Sequence, residues 1–138
     1  MRLWHKDLIP VLPRQQLLSQ WRECCCIAKN ITANGTPNHI LVNKILIYPT
    51  EHFQRYSQEV AYEMIHRGYK CDINKFQSYN NDGVKFINMP SHIELFNSWH
   101  TDRYLKQCYY NLQEKYDCGG IPEEEWDHIE NFMRGKIL

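Results

Sequence analysis

Apolar residues recur at helical spacing in four stretches of this chain. From about Pro13 to Lys29, positions Leu17, Leu18, Trp21, Cys24, Cys25 and Ala28 fall on one stripe when each residue turns about 100°. Gln15, Ser19, Arg22, Glu23 and Cys26 fall on the opposite face, which predicts that Arg22 and Glu23 point away from the core. Pro13 sits near the first helical position, where its missing N–H costs nothing. A second stretch, Thr50 to Arg67, buries Phe53, Tyr56, Val60 and Met64; Thr50 can cap it and Gly68 suits a left-handed stop. A third begins at "PSHIE", where Ser91 and Glu94 have capping-box spacing. It continues through Leu95, Trp99, Leu105, Cys108, Tyr109, Leu112 and Tyr116 to Gly119-Gly120, as one long helix or as two broken near Thr101. The fourth starts at Pro122 with Glu123 to Glu125 in its first turn, carries Trp126, Ile129 and Met133 inward, and ends at Gly135. "NHILVNKILIYP" is β-branched enough for a strand but has no obvious partner. The pattern predicts a compact all-α fold with substantial loops, one domain over residues 1–138.

Composition narrows the function classes. Sixteen basic and sixteen acidic residues give a formal net charge of +0, which argues against a strongly basic nucleic-acid binder. The charge is uneven: residues 1–72 hold 9 Lys/Arg against 6 Asp/Glu, and the remainder 7 against 10. A DNA-facing surface is therefore expected in the N-terminal half. No apolar run reaches the roughly 20 residues of a membrane span, and "MRLWHKDLIP" lacks the apolar centre of a signal peptide. The six cysteines show no C-x-x-C spacing and three are contiguous, so they read as free thiols of a cytoplasmic protein.

A charged pair on a helix face is most often solvated surface. A second element changes that reading. An α-amino group has a pKa near 8, against about 10.4 for lysine, so about a tenth of it is neutral and nucleophilic at pH 7. Arg2 is bulky, and methionine removal needs a small second residue, so Met1 is expected to carry the amine.

Three stretches resemble the pyrimidine-dimer DNA glycosylase/AP lyase family, the phage-type endonuclease V proteins, in a bacterial branch. These are "MRLW", "LPRQQLLSQWRE" with its Arg22-Glu23 ending, and "FQRYSQEVAYEMIHRGYK". They keep their order over about the first 70 residues. The resemblance implies a bifunctional enzyme that distorts damaged double-stranded DNA and attacks C1′ of the damaged nucleotide. Met1 would supply the amine and Glu23 the catalytic carboxylate. Arg2 and Arg22 would correspond to phosphate-binding or dimer-pocket arginines, and Gln15 would lie near the nucleic acid. This chemistry needs no metal and no organic cofactor. Cys26 stands where the family has a further arginine, and the family's aromatic-basic C-terminal tail is absent.

The same reading expects the Met1 amine close to Glu23, and Arg2, Arg14 and Arg22 as a local positive patch. Two rivals remain open. One is a non-catalytic nucleic-acid-binding or interaction module that keeps the fold. The other is a carboxylate-histidine metal protein using Glu63-x-x-His66 and Glu125-x-x-His128, with Glu23 and Glu94 completing the set. The histidines read as surface or packing residues, with His5 the one most able to approach the amine. The four tryptophans read as core.

Overall fold

The computed structural model describes residues 1–79 and 94–136. Every regular element among them is helical: a short 3-10 helix Lys6–Val11, then α1 (Arg14–Asn34), a 3-10 turn Asn43–Ile47, α2 (Thr50–His66), α3 (Ile73–Ser78), α4 (Asp102–Asp117) and α5 (Glu123–Arg134). The all-α expectation holds. No helix among the described residues is long and apolar enough to cross a membrane.

The helical stripes bury as the spacing requires. Leu17, Trp21, Cys24, Cys25 and Ala28 of α1 lie in the core with Phe53, Tyr56, Val60 and Met64 of α2, while Leu18 is only partly buried. α1 continues past Lys29 because Ile31 still packs on the core, and it stops at Gly35 (φ 75°), whose N–H bonds the Ile31 carbonyl at 2.8 Å. Thr50 is not the cap of α2. Pro49 holds that position, and Thr50 lies inside the helix. Gly68 (φ 83°) does end it: its N–H bonds Ile65 and the Tyr69 N–H bonds Met64, the paired reverse bonds of a Schellman stop. The third stretch breaks at Thr101, whose hydroxyl accepts from Tyr104 N at the start of α4. Its proposed Ser91 cap lies outside the described residues. On α5, Trp126 stacks on Tyr116 (4.8 Å between centroids) and Tyr109 (5.6 Å), so the expected inner face is the observed one.

"NHILVNKILIYP" is not a strand. Val42 and Ile45 are buried and Tyr48 half-buried, a period of three that suits a 3-10 turn and leaves the residues between them in solvent.

The least expected feature is the N-terminal segment, most of which is buried: Leu3, Trp4, His5, Leu8, Ile9 and Leu12 all lie in the interior. Residues 2–4 have no regular structure and no strand beside them among the described residues, so side chains must satisfy their backbone groups. Gln20 of α1, fully buried, does most of this. Its Oε1 accepts from Trp4 N at 2.8 Å, and its Nε2 donates to the Arg2 carbonyl at 3.0 Å. Tyr56 OH donates to the Trp4 carbonyl at 2.6 Å and lies 3.0 Å from Gln20 Oε1. Tyr104 OH donates to the Leu3 carbonyl at 2.6 Å. Downstream, Arg67 bonds the Leu12 and Pro10 carbonyls at 2.8 and 3.1 Å while pairing with Glu63 at 2.7 Å. Glu125 of α5 accepts from Arg14 N at 3.0 Å and so supplies the acceptor that the α1 N-terminus lacks in Pro13.

A buried histidine pair completes the docking. His5 Nδ1 accepts from Asp7 N, so Nε2 carries the proton given to the His100 carbonyl at 2.9 Å; His100 Nδ1 accepts from Lys6 N at 3.0 Å. Burial holds both rings neutral, lowering His5 below the ordinary 6.5 and His100 to about 2. Asp7 and Asp102 oppose this at His5, and Lys6 reinforces it at both rings.

Two outcomes are expected. Gln20→Leu leaves the Trp4 N–H and Arg2 carbonyl without partners in a buried site, so stability should fall by about 2–4 kcal/mol, read as a lower urea midpoint at unchanged slope. The unfolded chain binds protons at the two histidines below pH 6.5 while the folded chain does not. Their contribution is therefore complete above pH 6.5 and declines as pH falls toward the folded values. Each histidine adds up to about 1.4 kcal/mol per pH unit. Urea midpoints should drop between pH 7 and 4.5, less steeply in His100→Gln than in the wild-type chain.

Candidate active site

Glu23 lies one turn beyond Gln20 on α1. Gln20 Nε2, having donated to the Arg2 carbonyl, also donates to Glu23 Oε2 at 3.2 Å. One buried amide thus fixes the N-terminal backbone and the carboxylate relative to each other. Glu23 is half-buried, because residues 1–4 lie over that side of the helix. The expectation that both members of the pair point away from the core holds for Arg22 alone. Arg22 is exposed and donates to Ser19 Oγ at 3.0 Å.

Burial raises the Glu23 pKa above its ordinary 4.5. Four groups oppose the rise: the charge of the Met1 amine first, then the hydrogen bond from the Arg2 backbone, His39 and Arg22. Met1 is 38% exposed. The site is therefore a half-buried carboxyl with a raised pKa, acted on by the charges of an exposed N-terminal residue, a guanidinium and an imidazole. An amine and a carboxyl together can attack an electrophilic carbon and keep a proton acceptor within reach of it.

The other candidate residues separate. Arg2 turns its guanidinium over the Trp4 ring at 5.3 Å, and its charge acts on the Tyr104 hydroxyl and the Cys108 thiol. Gln15 is exposed on the Arg22 stripe, about 10 Å back along the helix axis. Arg14 does not join the patch. Its guanidinium stands over Tyr69 at 5.5 Å, and it precedes Arg22 by about 12 Å of helix.

Three residues were not legible as site residues. Gln20 falls at the edge of the α1 stripe, and its only sequence mark is a long amide among apolar neighbours. Tyr56 reads as core, which it also is. His39 comes to Glu23 through the turn that closes at Asn43, where Asn43 Oδ1 accepts from His39 N at 3.1 Å.

Other candidate chemistry is engaged in packing. Burial pushes the Cys24, Cys25 and Cys108 thiols up, so they remain protonated and unreactive. Cys26 is exposed. Glu63 is paired with Arg67 and Glu125 with the α1 N-terminus, and no three His, Cys, Asp or Glu side chains gather as a metal site among the described residues. A cleft of about 530 Å³ beside the Lys6–Val11 helix is not lined by Met1. Its carboxylates Glu59 and Glu63 are paired with Arg55 and Arg67.

A profile of the pyrimidine dimer DNA glycosylases matches residues 1–77, the span that contains Met1, Arg2, Gln20, Arg22, Glu23 and His39. No curated protein and no solved structure gives a significant match. The match covers 77 of 138 residues and takes in the amine and carboxylate together, so the chain belongs to the pyrimidine dimer DNA glycosylase family, a family of DNA repair enzymes.

Proposed function

We propose that this glycosylase is bifunctional, acting on pyrimidine dimers or abasic sites in double-stranded DNA and cleaving the strand as an AP lyase through a Schiff base at Met1. The observation that supports the reading is Gln20, which ties the backbone at Arg2 to a Glu23 carboxyl on which the Met1 charge acts. In the reaction, the neutral amine gives its lone pair to C1′ while the C1′–N bond to the base breaks and the base departs with that electron pair. The Glu23 carboxylate faces the positive charge that develops on the sugar and takes the proton the amine sheds. Protonation of the ring oxygen opens the sugar and leaves an imine between Met1 and C1′. Loss of a C2′ proton then expels the 3′ phosphate, and water later frees the amine. Arg2 and Arg22 hold phosphates beside the lesion, and Gln15 gives a neutral contact along the same helix face. Gln20 acts as a positioning residue, since it touches both reacting elements and neither bond that changes.

Borohydride reduction in the presence of abasic or dimer-containing duplexes should trap a covalent complex. Glu23→Gln should lower base excision by at least about 100-fold. Its fold should survive, since the amide still accepts the Gln20 bond. Acetylation of the α-amine should abolish trapping on dimer DNA. Failure of the wild-type chain to trap or excise while it still binds duplex would favour the non-catalytic binding module.

As pH falls, kcat/KM should decline with protonation of the nucleophilic amine, and the decline should steepen below a value above the ordinary 4.5, where Glu23 also takes up a proton. A decline that does not steepen down to pH 4.5 would remove Glu23 from the proton path.

A further inference from the structure

The turn that brings His39 to Glu23 carries an exposed apolar tip. Ile40 is 84% exposed and Leu41 49%. Their backbone is well held. The N–H groups of Val42 and Asn43 both bond the His39 carbonyl, at 3.0 and 2.9 Å, Leu41 N bonds His39 Nδ1 at 3.2 Å, and Val42 is fully buried beneath. Asn38 takes the left-handed conformation (φ 59°) that starts the turn, one its short amide tolerates. Two large aliphatic side chains are thus presented to solvent on an anchored support.

Their surroundings state what the tip meets. Ile40 and Leu41 wall a cleft of about 400 Å³ with Arg2, Lys44 and Gln107, floored by Trp99. A second hollow of about 260 Å³ continues it past Lys44 to Arg103. Among the described residues that line these two hollows, the charged ones are cations. An apolar point with Arg2 and Lys44 in its cleft and Arg103 in the adjoining hollow matches a polyanion whose interior is apolar. That is a base stack between two phosphate chains.

We propose that Ile40 and Leu41 form a wedge that enters the base stack of duplex DNA at the lesion, while Arg2, Lys44 and Arg103 hold the flanking phosphates. The inference rests on the reading of the chain as a DNA glycosylase and adds the device that opens the duplex. Inserted aliphatic side chains unstack a base step and kink the duplex, which lets the amine reach C1′. Leu46 and Ile47, exposed on the following 3-10 turn, are not part of the cleft.

The test uses the full chain and the double variant Ile40→Ala/Leu41→Ala, with urea midpoints confirming that both fold. Duplexes carry 2-aminopurine beside an uncleavable abasic analogue for binding, or a natural abasic site for trapping. Wild-type binding should raise 2-aminopurine fluorescence, and the variant should lose most of that rise. Trapping on duplex should fall at least about tenfold in the variant, while trapping on single-stranded abasic DNA changes by less than about twofold, since nothing need be unstacked there. Leu41→Phe, which keeps an apolar tip, should retain the duplex activity. Equal loss on both substrates, or no loss on either, would overturn the wedge. A wild-type chain that binds and unstacks duplex without trapping would uphold the wedge and remove the lyase reading. One that binds no duplex would overturn both.

Discussion

The geometry of this protein depends on one buried carboxamide. Gln20 uses both its acceptor and its donor side, and its partners lie on two different parts of the chain. An irregular segment with no strand beside it is ordinarily unstable in a core, because its N–H and C=O groups are lost to water without replacement. Here Gln20, Tyr56 and Tyr104 replace that water group by group. With the backbone satisfied, Leu3, Trp4 and Leu8 can be buried at full apolar gain, and the N-terminus is delivered to the polar side of α1. An amide suits the task better than a carboxylate would. It accepts from the Trp4 N–H and donates to Glu23 at the same time, and it adds no charge beside a carboxyl already raised by burial.

The electrostatics follow the same logic of local placement over net balance. A chain of zero formal charge still gathers cations locally. Arg2 and Lys44 line the cleft, and the Arg22 charge acts on Glu23. Several acidic residues are spent on structure: Glu125 on the start of α1, Glu63 on Arg67, and Glu123 and Glu130 on tyrosine hydroxyls. Net charge describes the solubility of the whole particle, whereas binding to phosphate responds to charges within about a Debye length, roughly 8–10 Å. A neutral sequence is therefore compatible with a cationic face, as Arg2, Lys44 and Arg103 illustrate.

Helical periodicity made most of the fold legible. The inner faces of α1, α2 and α5 follow from spacing alone, because a helix turns at a fixed angle whatever it packs against. The stop at Gly68 was equally local, since a left-handed residue is a property of a single backbone position; α1 instead outran its expected end at Lys29 to stop at Gly35. The misses are of another kind. Thr50 lost the cap of α2 to Pro49. "NHILVNKILIYP", ambiguous in the sequence, is a 3-10 turn with no second strand among the described residues. Arg14 left the expected patch for Tyr69 and Glu125, partners far from it in sequence.

The amine, the Arg22-Glu23 pair and the direction of Arg22 were present in the sequence, because each depends on chemistry or helix phase within a few residues. The burial of Glu23, the bond that fixes it and the approach of His39 were decided by tertiary structure. Those features arise only when residues 1–4 are laid across α1 and the turn at residues 38–43 is folded beside it. A residue's helix phase says which way it points; what covers it depends on a segment that periodicity does not describe. Glu23 therefore reads in the sequence as a solvated surface charge and stands in the fold as a half-buried carboxyl held by Gln20, within the field of the Met1 amine.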